Sequence, residues 1–96
     1  MWVTNNASDT VTKVNATTNV EAVGSPYAVG DQPAGVAFDG VNIWVANSVT
    51  NNVTKLDAAT GAVVDTVNVG TYPLGVAFDG ANIWVANLAA DTVSKL

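Results

Sequence analysis

Residues Gly35–Asn47 read GVAFDGVNIWVAN, and residues Gly75–Asn87 read GVAFDGANIWVAN. They differ at one place, Val41 against Ala81, which chance does not produce. Trp2, Trp44 and Trp84 align at spacings of 42 and 40 residues. These are all the tryptophans of the chain, and the three lysines, Lys13, Lys55 and Lys95, fall into the same register. Pro33 and Pro73, Phe38 and Phe78, and Asp39 and Asp79 match as well. A period near 40 residues means one supersecondary unit used repeatedly, a unit that buries its apolar faces only by stacking on its neighbours.

Each unit reads as four short strands. One copy supplies Gly75–Phe78 and Asn82–Asn87, and the preceding copy shows Asn52–Asp57 and Ala62–Val69. Asp79-Gly80 and Thr60-Gly61 are the turn signals between them. Val and Thr, stiff at χ1, suit a pleated surface, and no dozen residues keep a helical period unbroken. On the second strand Ile83 and Val85 point one way and Trp84 and Ala86 the other, so both faces are apolar. The expected class is therefore all-β: β-propeller blades of four antiparallel strands, about 2.3 repeats in the chain. The expected division is a partial blade over 1–33, a full blade over 34–73 and a partial blade over 74–96. Naming the strands A to D from the centre outward, the order is BCD, ABCD, ABC. Propellers typically have four to eight blades. A ring completed by oligomerisation is therefore expected, with copies of this chain, as dimer or trimer, closing about six blades.

Composition narrows function. The 96 residues carry no His and no Cys, three Lys and no Arg, and eight acids, for a net charge of -5. That removes imidazole bases, thiol nucleophiles, zinc clusters and disulfides. It also leaves no basic patch for nucleic acid. No apolar run approaches the length of a membrane span, and no N-terminal signal pattern is present. Charged residues are 11% and apolar residues 49%, which argues against a disordered chain.

The recurring polar residues have sharper and plainer readings. Asp39 and Asp79 as an acid or metal pair competes with each bonding local backbone N–H groups in its Asp-Gly turn, and the turn reading is preferred. Asp9, Asn51 and Asp91 share one repeat position, which would place them along the central axis or on a loop ring, but no calcium-loop spacing accompanies them, so no metal is expected. Lys13, Lys55 and Lys95 are read as stems lying on the blade faces with amines reaching solvent or a carboxylate, rather than as an anion-binding ring. Asn5, Asn47 and Asn87 close the second strand and are read as holding the following loop through bonds to its backbone. The matches Asn6-Ala7-Ser8, Asn15-Ala16-Thr17 and Asn52-Val53-Thr54 to the glycosylation pattern arise easily in a chain so rich in Asn and Thr.

The run Pro73-x-Gly75-Val76-Ala77-Phe78-Asp79-Gly80 followed by Ile83-Trp84-Val85-Ala86-Asn87 resembles the YVTN type of β-propeller repeat. Trp stands where that family usually has Tyr, and Trp2-Val3-Thr4-Asn5 keeps its V-T-N ending. Asn52-Val53-Thr54-Lys55-Leu56-Asp57 is similar to the NHL repeat, and Leu56-Asp57-Ala58-Ala59-Thr60-Gly61 to the turn of quinoprotein-type repeats. The resemblance implies a secreted or cell-surface parent and a role in binding. Lyase relatives use a His that is absent here. Quinoprotein relatives need cofactor-stacking tryptophans, whereas these three recur once per blade. The expectation is a non-catalytic, cofactor-free structural or binding module. The alternative is a piece of a propeller enzyme, a lyase or quinoprotein relative, whose active residues lie outside this chain. The least repeated positions lie in the loops after the second and fourth strands: Asp31-Gln32, Ser48 to Asn51, Thr71-Tyr72 and Leu88 to Ala90. From them Tyr72, Gln32, Thr50 and Asn51 are the expected contacts for a protein or glycan, with Tyr72 foremost.

Overall fold

A computed structural model of the chain describes residues 1–22 and 24–96. Among the described residues ten strands form: β1 (Trp2–Asn5), β2 (Thr10–Lys13), β3 (Tyr27–Ala28), β4 (Pro33–Phe38), β5 (Asn42–Asn47), β6 (Asn52–Asp57), β7 (Val63–Asn68), β8 (Pro73–Phe78), β9 (Ile83–Asn87) and β10 (Thr92–Lys95). They make three antiparallel sheets: a first of order β1-β2-β3, a central one of order β4-β5-β6-β7 and a third of order β8-β9-β10. A short 3-10 turn, Asn6–Ser8, joins β1 to β2.

The sheets stack face to face, and alternation along each strand decides what lies between them. Ile43, Val45 and Leu56 of the central sheet pack with Val11 of the first, and Trp2, Tyr27, Val29 and Val36 close around them. From the opposite side, Val53 packs with Ile83 and Val85 of the third sheet, joined by Ala37, Trp44, Val69 and Val76. The central sheet is therefore apolar on both faces because both are covered. Each fully buried side chain of this size contributes about 1.5–3 kcal/mol. The innermost strands β4 and β8 approach so closely that a Cβ on Gly35 would run into the carbonyl oxygen of Leu74.

The Asp-Gly segments close tight hairpins. Asp39 and Asn42 are the flanking pair, with the Asp39 N–H donating to the Asn42 carbonyl at 3.1 Å. The two central residues are thus Gly40 and Val41. Gly40, at φ +100, takes the first central position, where this hairpin turn demands glycine. The first strand of the unit begins at Pro33 or Pro73, two residues before Gly35 or Gly75, because a register shift lets the ladder continue past a proline without an amide donor.

In the first sheet the expected outer strand shrinks to Tyr27–Ala28 plus an isolated bridge, Val14 to Glu21. Here the unit is two residues longer, Pro26 has no amide to donate, and Gly24 turns the chain at φ +90. Ser25 compensates in part: its Oγ accepts the Lys13 N–H at 2.9 Å in place of a ladder bond.

Candidate functional site

The loops between the second and third strands, and those between one unit and the next, meet on one rim. There Ser48 donates through its N–H (3.1 Å) and its Oγ (2.8 Å) to the Gln32 carbonyl, and the Val49 N–H reaches the Asp31 carbonyl. In the next unit Leu88 and Ala89 bond the carbonyls of Tyr72 and Thr71 in the same way. Side chains then clasp one unit to its successor: Asp9 Oδ1 accepts the Gln32 N–H, and Asn51 Oδ1 the Tyr72 N–H, each at 2.9 Å.

Gln32, Thr50, Asn51 and Tyr72 thus belong to one hydrogen-bonded rim. Thr50 Oγ1 donates to Asn52 Oδ1 at 3.0 Å, and the Asn51 side chain is spent on Tyr72. Gln32 and Tyr72 keep their side chains exposed. Both sit at positive φ, +51 and +59. For a ring as large as tyrosine that conformation costs of order 1–3 kcal/mol, and it is held by the clasp from Asn51. The sequence carries no signal for this strain.

Asp9, Asn51 and Asp91 do not converge as a ring of ligands. Each takes the left-handed conformation, at φ +58, +58 and +54, and the first two bond backbone N–H groups of different units. Among the described residues no three acidic side chains come together to hold a metal.

Asp39 and Asp79 do more than cap their turns. One oxygen of Asp39 accepts the N–H groups of Val41 (2.9 Å) and Asn42 (2.7 Å), and the other accepts the Trp44 indole N–H at 2.8 Å. Asp79 repeats this with Ala81, Asn82 and Trp84. The Trp84 indole, then the Asn82 and Ala81 amides, hold the Asp79 carboxyl down to about 2. At Asp39 burial opposes ionisation, but the Asn42 amide, the Trp44 indole and the Val41 amide outweigh it, and the pKa is lowered. The Trp partner was legible only in the common five-residue spacing of Asp39–Trp44 and Asp79–Trp84.

The lysine amines settle over the indoles rather than beside a carboxylate. Lys13, Lys55 and Lys95 stand 5.6, 5.0 and 5.7 Å from the ring centres of Trp2, Trp44 and Trp84. Lys13 also donates to the Ala58 carbonyl of the next sheet at 2.7 Å. Asn47 Nδ2 donates to Asn52 Oδ1 and Thr54 Oγ1, both at 2.8 Å, and its Oδ1 accepts the Gly30 N–H. Asn5 and Asn87 likewise donate to the third strand, to Thr10 and Thr12 and to Thr92 and Ser94, so these side chains tie the second strand to the third rather than to the loop that follows them, and Asn47 also reaches the loop between units.

Away from the rim, a cavity of about 480 Å³ opens between the first and central sheets, lined by Met1, Trp2, Val36, Ala37, Phe38, Ile43 and Ala58. None of the four rim candidates lines it. No helix among the described residues is long and apolar enough to cross a membrane.

No protein-family model matches the chain, and no curated protein matches it. Solved structures do. Hydrazine synthase of Kuenenia stuttgartiensis superposes with a TM-score of 0.81 and 28% identity, over 90% of this chain and 25% of that one. A functionally unknown protein of Desulfotomaculum acetoxidans gives 0.71 and 21% identity over 99% of this chain and 36% of its own. U3-55K gives 0.67 and 12% identity over 95% and 32%. The last two share the fold alone, and the chain spans about a quarter to a third of the length of these structures. Its stacked antiparallel sheets are those of a propeller-like fragment.

Proposed function

We propose that the chain is a non-catalytic scaffold and binding module of the YVTN/NHL-like propeller type. Its rim, led by Tyr72 with Gln32 beside the clasped loops, takes a protein or glycan, and further copies of the chain complete the ring. One observation carries this reading. The polar residues that recur in the units are spent on internal bonds, Asp on Trp, Asn on Thr and Lys on indole, while the positions that vary gather on the rim. The parent is taken to be secreted or cell-surface, as the repeat type implies.

The test is a glycan array and a pull-down with the wild type and with Tyr72→Gly. Glycine relieves the positive φ, so the variant is expected to melt no lower than the wild type while losing the ligand. Equal binding by both proteins would remove Tyr72 from the site, and silence of the wild type on both assays would leave a purely structural role.

The likeness to hydrazine synthase favours a second reading, a segment of a propeller enzyme whose reacting groups lie outside this chain. Activity that appears only when the chain is embedded in a longer polypeptide would select it.

A further inference from the structure

The two covered interfaces of this molecule are copies of each other. In the first, Trp2 and Val11 face Ile43, Val45 and Leu56; in the second, Trp44 and Val53 face Ile83 and Val85. The third sheet carries the donor half of the same interface a third time, as Trp84, Ala86, Val93 and Lys95, all exposed, with no other sheet over them among the described residues. Val53 is fully buried while Val93 is 62% exposed, and Ala46 is fully buried while Ala86 is exposed. The first sheet carries the acceptor half, also bare: Val3, at the repeat position of Val45, is 43% exposed, and Met1, at that of Ile43 and at the edge of the inter-sheet cavity, is 63% exposed. Asn5 there holds Thr10 and Thr12 through its Nδ2, as Asn47 holds Asn52 and Thr54, so the polar part of that face is already built.

Resting on the reading of self-assembly above, we propose that the Trp84–Val93 face of one copy docks on the Met1–Val3 face of a second. The contact is head-to-tail and repeats the register of the internal interfaces. The internal template also fixes a polar contact. Lys13 donates to the carbonyl of Ala58 in the turn after the third strand of the next sheet. Lys95 occupies the Lys13 position and Ala16 the Ala58 position, so Lys95 of one copy bonds the Ala16 carbonyl of the other. A face-to-itself dimer is disfavoured because it would bring two Lys95 amines onto one interface and leave both without the Ala16 carbonyl that the internal template provides.

The experiment uses the whole chain and three proteins: wild type, Val3→Asp and Val93→Asp. Light scattering gives the mass, and far-UV circular dichroism confirms the strands. The wild type is expected at twice the chain mass or more, and each variant alone at lower mass with strand content retained. Val3→Asp keeps an intact Trp84 face and Val93→Asp an intact Met1 face, so mixing the two is expected to restore a single capped 1:1 dimer. A folded wild type that stays at chain mass would overturn self-assembly itself. A wild type that associates while Val3→Asp keeps its full mass, or a mixture that yields no 1:1 dimer, would overturn the head-to-tail contact and leave self-assembly standing. Since both substitutions place a carboxylate on a surface, Lys95→Ala, which introduces no charge, supplies the second measure. Its wild-type dissociation constant is expected to weaken several-fold, and an unchanged constant would remove the Lys95–Ala16 contact.

Discussion

The central and third sheets are built from nearly the same residues and differ in what covers them. In the central sheet Trp44 and Val53 lie against the third sheet, and Ile43, Val45 and Leu56 against the first. In the third sheet Ile83 and Val85 are buried, but Trp84, Ala86 and Val93 are exposed, with no further sheet over them among the described residues. Strand burial records the contrast: β5 is buried along most of its length, while β9 alternates residue by residue. Identical side chains therefore have different energetic weight, because apolar area stabilises only when it leaves water.

The largest effect that sharpens this contrast is expected at Leu56, which is fully buried. Leu56→Ala should cost about 2–5 kcal/mol in urea unfolding, through lost transfer energy and the cavity left behind. Leu96→Ala, at the same repeat position but half-buried, should cost less than half as much. Equal costs would break the comparison.

A similar split is expected at two glycines. Gly35→Ala forces a Cβ against the Leu74 carbonyl and should destabilise by about 1–3 kcal/mol. At Gly75 an added Cβ meets only the Ala86 Cβ, at 3.8 Å, so Gly75→Ala should be close to neutral by thermal melting.

Val53→Ala and Val93→Ala form the third pair. Val53→Ala should cost on the order of 1–3 kcal/mol at any protein concentration. Val93→Ala should cost little in dilute solution and more as the concentration rises, if a second copy covers Val93. A Val93 effect independent of concentration would argue that this face stays bare.

The smallest effect is electrostatic. Asp79 is held at about 2, against an ordinary value near 4, so its ionised form is favoured by folding. That contribution is fully present above pH 4 and fades as pH falls through about 2. In an NMR titration the Trp84 indole N–H should move with a midpoint near 2, and Trp84→Phe should return the Asp79 midpoint toward 4. A carboxyl midpoint unchanged by Trp84→Phe would show that the turn amides alone set it.

Much of the fold was legible in the repeated segment. Because Gly35–Asn47 and Gly75–Asn87 are nearly the same string, their period gave the units, and their alternation gave two apolar faces per sheet. The third strand of the unit, Asn52–Asp57, falls where its alternation puts it. The outer strand of the first sheet did not, because turn chemistry at Gly24 and Pro26 overrides the strand propensity around it. The site was legible only as a location. Variable positions marked the rim, but the clasps from Asp9 and Asn51 join residues 23 and 21 positions apart, and no local pattern announces such pairs. The indole bonds to Asp39 and Asp79 span only five residues, yet they depend on the hairpin folding Trp back over its own turn.

By itself, then, the sequence determined the unit, its length, its strand alternation and the absence of any imidazole or thiol, since these follow from residue identity and spacing. Only the tertiary structure decided which copy of each face is covered, which loop side chains are consumed as clasps, and that Tyr72 is held at positive φ with its ring exposed. Burial and strain are properties of what lies opposite a residue, and near-identical strings such as β5 and β9 acquire different values of both once they are stacked.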